Sequence, residues 1–421
     1  MAQAQLGRLF FGHDLTFRHA AWLCVIGGVG LSLLGLYAVD LGQSDAPESG
    51  LITLSGLTAR HAVYLCVGMV AAAMIAAPNY RLVRMLAWPM MWVSLALLVF
   101  LLIPFVPTSI VRPRNGARAW IEMGPLDFQP SEIAKIAFVL VMADYLRYRQ
   151  NHRTMLGLVP PALIAFVPAA LITLQPDLGM AMLFAPATFA MLWVAGAKVK
   201  HLGLVVLVAM LAAPAAYPLL KPHQKARIVG MIQMMKDPSA GADGINYQSM
   251  RSQTLAGAGG ATGVSDAKSR ALHKFNDLPE RHNDMILSVI ITRFGLAGGL
   301  GVLFLYVLWF TGAYLTAAMC KDGFGQLVIV GFMAIVFAQA MINACMVLGV
   351  LPIVGLTLPF VSYGGTSLLS VWGMTGMIFG IAMRRSVRLA RPTFEFDEQP
   401  YDPLRQTTPQ RIAPSLRRKS A

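Results

Sequence analysis

Apolar runs of roughly 17–25 residues, the length that crosses a bilayer as a helix, recur along this chain. They lie near 20–39, 62–78, 83–106, 131–147, 157–174, 179–196, 201–220, 285–314, 324–349 and 366–383. Few folds are open to such a sequence. Lipid offers backbone amides and carbonyls no partner, so a run that spans must satisfy them internally as a helix. The expectation is an all-α, polytopic integral membrane protein with about ten transmembrane helices. Composition agrees: 56% of residues are hydrophobic, 13% are charged and mean hydropathy is +0.61, whereas soluble domains carry about 25% charged residues. The net charge of +14 would suit nucleic acid, but Lys and Arg gather in short loops and at run ends, where they orient helices in a membrane. No nucleic-acid partner is expected.

An even number of spans puts both termini on one side. With that side cytoplasmic, about fourteen Lys/Arg fall inside and about four in the short outside loops, as the positive-inside rule requires. Arg81, Arg84, Arg147, Arg149, Arg153, Lys198, Lys200 and the cluster Arg384, Arg385, Arg388, Arg391 are among those inside. The chain divides into a cytoplasmic N-terminus (1–18), a transmembrane domain (19–385) and a tail (386–421) whose Pro, Gln, Arg and Ser content reads as disordered. No cleavable signal peptide is expected before the first run. A large extracytoplasmic loop, 221–284, joins helices 7 and 8 and is expected to carry short interfacial helices. Cys24, Cys66, Cys320 and Cys345 lie in apolar runs without metal-ligand or paired spacing and read as small buried hydrophobes.

Between Asn343 and Ser367 the chain breaks its own pattern. Pro352 and Gly355 interrupt an apolar run, and Ser362-Tyr-Gly-Gly-Thr-Ser367 follows before the next one. Broken backbone at membrane depth persists only where protein or a polar cavity satisfies it, so a site is expected here.

Three further constellations face the same side. Ser131 can cap the fourth span, Glu132 suits the positive end of its dipole, and Lys135 shares a face with Glu132. This reads as a capped helix with an interfacial ion pair, or as an intramembrane functional pair. Asp177, in Gln175-Pro-Asp-Leu-Gly179, reads as a helix N-cap. Asp284 closes Leu278-Pro-Glu-Arg-His-Asn-Asp284 at the water–membrane boundary. It reads either as a cap or as a general base or metal ligand tuned by Glu280 and His282.

These motifs together resemble the SEDS family of FtsW, RodA and SpoVE, polytopic glycosyltransferases that polymerise peptidoglycan, over roughly residues 20–385. The resemblance rests on Asn343, Gly349, Pro352, Gly355, Ser362, Tyr363, Gly364, Gly365 and Ser367. It extends to Asn115-Gly-Ala-Arg-Ala-Trp-Ile with Phe128-Gln-Pro-Ser-Glu-Ile-Ala-Lys, to QPDLG, and to LPE-x-H-x-D, with Tyr247-Gln248 and the Gly257–Gly263 cluster in register. It implies that Asp284 is catalytic, as general base or as ligand of Mg2+ or Mn2+. It also implies that Arg118, Glu132, Lys135, Arg227, Glu280, Ser362, Gly364 and Gly365 contact substrate, with Arg118, Glu132 and Lys135 lining an outward-facing cavity. The substrate implied is lipid II, whose pyrophosphate would meet cations among Arg112, Arg114, Arg118, Lys135 and Arg227. No organic cofactor is implied. The partner implied is a class B penicillin-binding protein transpeptidase, and the location is the bacterial cytoplasmic membrane. LPERH, Val354-Gly355 and Gly365-Thr366 resemble the RodA branch, NGAR and the extended tail the FtsW branch, and the balance leans to RodA.

The chain departs from that pattern at several positions. Ala119, Asn283 and Met285 replace Arg, Thr and Phe. Thr292 and Arg293 stand where the family carries a Glu pair, Val264 stands where it carries a Lys, and Arg251 replaces a Gln. An unpaired Arg at membrane depth is costly, which makes a non-catalytic scaffold of the wall machinery one rival reading; intramembrane charges, broken helices and a large outside loop make a lipid II flippase another.

Overall fold

A computed structural model describes residues 19–43, 56–113, 117–123, 126–149, 151–219, 225–226, 229–230, 247–276, 278 and 280–384. The N-terminus, the C-terminal tail, Arg114 and Arg227 lie outside the described residues. In chain order the helices begin with α1 (Trp22–Gly42), α2 (Gly56–Ala76) and α3 (Tyr80–Leu102). A hairpin follows, β1 (Ile121–Met123) antiparallel to β2 (Leu126–Phe128), with Glu122 opposite Asp127. Next come α4 (Pro130–Tyr148), α5 (Val159–Leu174), α6 (Leu178–Met182), α7 (Phe184–Val194) and α8 (Val199–Ala216). The chain then forms α9 (Tyr247–Gly259), α10 (Asp266–Asn276), α11 (Ile286–Met319), α12 (Gly323–Val347) and α13 (Gly365–Met383).

Among the described residues, seven helices are long and apolar enough to cross a membrane, and Leu178–Val194 and Val199–Ala212 are shorter apolar helices. The remaining expected span is α4, which carries Glu132, Lys135, Asp144 and Arg147. Its charges send it to the middle of the bundle, because lipid cannot satisfy them. Every residue from Ala134 to Ala143 is buried, and α4 packs against α3, α5, α12 and α13. Around it, α1 pairs with α11 and α2 with α13. Both pairs cross closely through small residues. A Cβ on Gly376 would collide with the Ala72 backbone, and one on Gly27 would meet the Leu305 carbonyl at 2.8 Å. In lipid such packing, rather than hydrophobic exclusion, holds helices together.

Two expectations need correcting. Ser131 is not the cap of α4: Gln129 occupies that position, Pro130 starts the helix, and the Ser131 hydroxyl is buried without a partner. Of the four free cysteines only Cys24 is buried, and Cys66 is exposed on α2. An apolar residue in a bilayer can face lipid as well as protein, so an apolar run does not settle which.

One break was not foreseen. Helix α11 is interrupted at Gly295, with φ 66° and ψ −157°, a conformation open essentially to glycine. The amides that the break releases find partners in the glycine turn after α9. Leu296 N–H donates to Gly260 O at 2.9 Å and Ala297 N–H to Ala261 O at 3.3 Å. In return Val264 N–H donates to Thr292 O at 3.2 Å. The segment between α8 and α11 thus supplies what lipid cannot.

Candidate active site

The turn ahead of α11 is tight. Glu280 has φ +53°, and its carbonyl accepts from Asn283 N–H at 3.0 Å and Met285 N–H at 3.3 Å. The Asn283 side-chain amide also donates to the Glu280 carboxylate. Asp284 follows, half-buried. It is not the helix cap: Met285 holds that position, and no side chain caps α11. Its carboxylate lies over Gly355, where a Cβ would come within 3.6 Å of Oδ2.

That contact joins two motifs that lie far apart in the sequence. Asn343 on α12 donates to the Asp284 carbonyl at 2.8 Å and to Leu356 O at 2.6 Å. The Ser362 hydroxyl donates to Asn283 O at 2.6 Å and accepts from Leu358 N–H at 2.7 Å. Tyr363 N–H donates to His282 O at 2.8 Å. The broken segment between α12 and α13 is therefore laced to the turn carrying Asp284, and the Tyr363 amide finds its partner there. Gly355, at φ +79°, is the close approach that this lacing needs. Gly364 is extended and ends the segment at the start of α13, and Gly365 lets the Tyr64 ring approach to 3.0 Å of where a Cβ would be. The Gln175–Gly179 turn joins the same assembly. Asp177 caps α6 by accepting from Met180 N–H at 3.1 Å, as expected, and accepts from the Gln129 amide at 3.2 Å. A Cβ on Gly179 would meet Val354 O at 2.8 Å.

Glu132 and Lys135 are placed differently from the expectation. Each is 1% exposed, and they form an ion pair of 2.7 Å inside the bundle instead of lining the outward-facing cavity. Ser370 donates to Glu132, and Lys135 donates to Gln339 at 3.2 Å. Gln339 in turn donates to Thr357 O at 3.0 Å, and the Thr357 hydroxyl is 3.0 Å from that of Ser367. The network ties α4, α12, α13 and the broken segment together directly beneath the Asp284 turn. The physical reason is desolvation: two opposite charges one helical turn apart cost less buried together than apart. Arg118 is half-buried and donates to Val106 O at 3.3 Å, and Arg112 is exposed.

Arg293 is paired. Its guanidinium binds Asp266 at the start of α10, donates to Val264 O at 3.0 Å and reaches the Tyr37 hydroxyl at 3.3 Å. Tyr37 donates to Asp266 at 2.9 Å. Thr292 hydrogen-bonds Leu255 O and Ser288 O at 2.8 and 2.7 Å. A second ion pair, Arg270–Asp40 at 2.7 Å, fixes α10 to the C-terminal end of α1. Arg251 donates to Asn276 at 3.0 Å. These departures from the family pattern are therefore absorbed into ordinary pairings.

The sequence reading passed over two groups of residues here. His61 on α2 is fully buried with neither ring nitrogen hydrogen-bonded, its ring 6.0 Å from that of Tyr363. Gln43, Arg60 and Arg281, likewise passed over, join His282 in lining a cavity of about 420 Å³ between the C-terminal end of α1 and the N-terminal end of α2. Burial lowers the His282 pKa below its ordinary value, which keeps the ring neutral. Among the described residues no group of three or more His, Cys, Asp or Glu side chains could hold a metal ion.

Comparison with known proteins accounts for this arrangement. The FtsW/RodA/SpoVE family model, described as "Cell cycle protein", matches residues 21–387. Stage V sporulation protein E of Bacillus subtilis is 31% identical over 77% of this chain and 86% of its own length. Peptidoglycan glycosyltransferase MrdB of Escherichia coli is 33% identical over 65% of this chain and 73% of its own. Among solved structures, one described as "Structural coordination of polymerization and crosslinking by a peptidoglycan synthase complex" superposes with a TM-score of 0.70. It is 30% identical and covers 86% of this chain and 97% of that one. The rod shape determining protein RodA of Thermus thermophilus superposes with a TM-score of 0.60 at 27% identity over 86% of this chain and 96% of its own. With its break at 343–367 closed onto the Asp284 turn, this chain belongs to the FtsW/RodA/SpoVE family.

Proposed function

We propose that this protein is a peptidoglycan glycosyltransferase that polymerises lipid II at the outer face of the bacterial cytoplasmic membrane, with both termini cytoplasmic. The observation that carries the reading is Asp284. Its carboxylate is half-buried, caps no helix, and is held over Gly355 by a segment whose own backbone is spent on holding it. A buried scaffold that fixes one carboxylate at a water–membrane boundary suits proton transfer, a role typically contributing about 10²–10⁴-fold.

In the reaction proposed, the acceptor sugar's 4-hydroxyl oxygen attacks C1 of the donor sugar and its proton passes to Asp284. The C1–O bond to pyrophosphate breaks, and the pyrophosphate leaves with the bonding pair, still attached to its polyprenyl chain. Glu280 holds Asn283, and Ser362 and Asn343 fix the backbone on either side of Asp284. Those three are assigned to positioning the base, while Glu132 and Lys135 brace the floor beneath it. Arg118 and Arg227 remain proposed substrate contacts. A class B penicillin-binding protein transpeptidase is the proposed partner, supported by the likeness to a complex that couples polymerization to crosslinking.

The test is glycan synthesis from purified lipid II by the detergent-solubilised full chain, with and without its cognate transpeptidase, beside Asp284→Asn. Long strands that vanish in the variant are expected. Absence of product even with the partner would sink the reading in favour of a flippase or scaffold. Strands made equally well by Asp284→Asn would sink the assignment of the base.

A further inference from the structure

Helix α11 starts directly after the turn that carries Asp284, so whatever orients its first turns orients the carboxylate. Those turns, residues 286–294, are parted from the rest of the helix by the kink at Gly295. At about 1.5 Å of rise per residue, Asp284 stands roughly 15 Å from that kink. A tilt of about 4° there would carry it about 1 Å. A misplacement of about 1 Å at a reacting group can cost on the order of 10²-fold in rate.

The short part of α11 is tied down at both ends. Beside Asp284, Asn343 and Ser362 hold the backbone at 2.8 and 2.6 Å. Beside the kink, Thr292 and Arg293 do so. The Thr292 hydroxyl lies 2.8 Å from the Leu255 carbonyl of α9, and the Thr292 carbonyl accepts from Val264 N–H at 3.2 Å. Arg293 meets three partners with one planar group: Val264 O at 3.0 Å, the Tyr37 hydroxyl of α1 at 3.3 Å and the Asp266 carboxylate of α10. Its guanidinium lies 4.9 Å over the Phe294 ring. Helix α10 is itself anchored, because Arg270 pairs with the buried Asp40 of α1. Ile286, Val289 and Ile290 are buried too, but apolar packing is non-directional. The tilt of the short part is therefore set by its polar contacts. A Lys at 293 would offer a point charge, whereas the rigid fork of an Arg fixes an angle among its partners.

We infer that Arg293 and Thr292 are positioning residues for Asp284: they lock the first turns of α11 against α9, α10 and the turn between them, and so keep the base over Gly355. This rests on the glycosyltransferase reading. Both act through the backbone of α11 and not on the reacting atoms. The two residues that depart from the family's Glu pair are thus the ones that hold the base in place in this chain.

The experiment compares the full-length protein in detergent with Arg293→Gln, Arg293→Lys, Thr292→Val and, as a control on the exposed side of α10, Lys268→Gln. It reads polymerisation of lipid II per folded protein and amide hydrogen exchange. In Arg293→Gln, kcat should fall about tenfold with KM for lipid II within about twofold of the parent, since geometry and not binding is lost. Exchange should accelerate far more at Asn283, Met285 and Tyr363, the amides that close the Asp284 turn, than in α4. Arg293→Lys should recover part of both effects, and Lys268→Gln should match the parent. Thr292→Val replaces a hydroxyl by a methyl and should show both effects more weakly, so it decides the matter if Arg293→Gln fails to fold. Acceleration of equal size throughout the protein would make Arg293 a plain stability contact and overturn the inference. So would an unchanged turn, or a kcat that ignores Arg293→Gln although the turn has loosened. A parent that makes no glycan sinks the polymerase reading instead, and exchange at the turn then still decides whether Arg293 holds it.

Discussion

Arg293, on the kinked α11, forms an ion pair with Asp266, the first residue of α10, and Tyr37 of α1 closes the triangle. The family pattern has acid at 293 and a cation at 264. Here Arg293 instead pairs with Asp266, which staples α10 to α11. Arg293→Glu should lower thermal stability by about 2 kcal/mol, the scale of a lost charge-assisted bond. Adding Asp266→Lys to it should return at least half. A double variant no better than the single would show that the pair is incidental.

Asp284→Asn tests the separation of chemistry from architecture. Asn keeps the shape of the Asp284 side chain, which does not cap α11, so the variant should melt within about 1 kcal/mol of the parent. Polymerisation should fall by at least about 100-fold. A large loss of stability would make Asp284 a structural residue.

The buried Glu132–Lys135 pair should behave as a unit. Lys135→Met alone leaves an uncompensated carboxylate and should cost about 3–5 kcal/mol, while Glu132→Gln with Lys135→Met should recover most of it. If activity returns together with stability, the pair is a brace. If the stable double variant stays inactive, Lys135 or Glu132 touches substrate after all.

His273 on α10 is buried with neither ring nitrogen hydrogen-bonded. Burial first, and then the charge of Arg281, lower its pKa from 6.5 to about 4. Above 6.5 the ring is neutral whether α10 is docked or not, and stability is unaffected. As pH falls from 6.5 towards 4 the undocked form takes up a proton that the docked form refuses, and stability is lost, by at most about 3 kcal/mol. Hydrogen exchange of α10 should accelerate over that window in the parent and lose the pH dependence in His273→Phe. Exchange that is flat with pH in the parent would contradict the burial argument.

Much of this was legible in the sequence because it was local. Run length announced the spans, and the Pro352–Gly355 interruption announced the broken segment. Asp177 announced its cap by sitting between a Pro and an apolar run. What escaped notice depends on pairing across helices. Glu132 and Lys135 look the same in sequence whether they face a cavity or Gln339 and Ser370. Arg293 looked stranded because its partner lies 27 residues back, in a helix of the outer loop. Gly295 sits in an apolar run with no proline beside it, and the carbonyls of Gly260 and Ala261 that take up the freed amides lie in a distant turn. Arg60 drew no reading from the sequence, and only the fold sets it with Arg281 on one cavity.

The break at Gly295 also bears on how the protein is made. Unbroken, the 34 residues of α11 would stretch roughly 51 Å, well beyond a hydrocarbon layer of about 30 Å. The part after Gly295, roughly 36 Å, already suffices to cross. The turn that mends the break is encoded upstream of it, so it has left the ribosome before α11 emerges and can meet the nascent helix as it enters the bilayer. The order of the chain is thus also an order of assembly: patch first, fracture second.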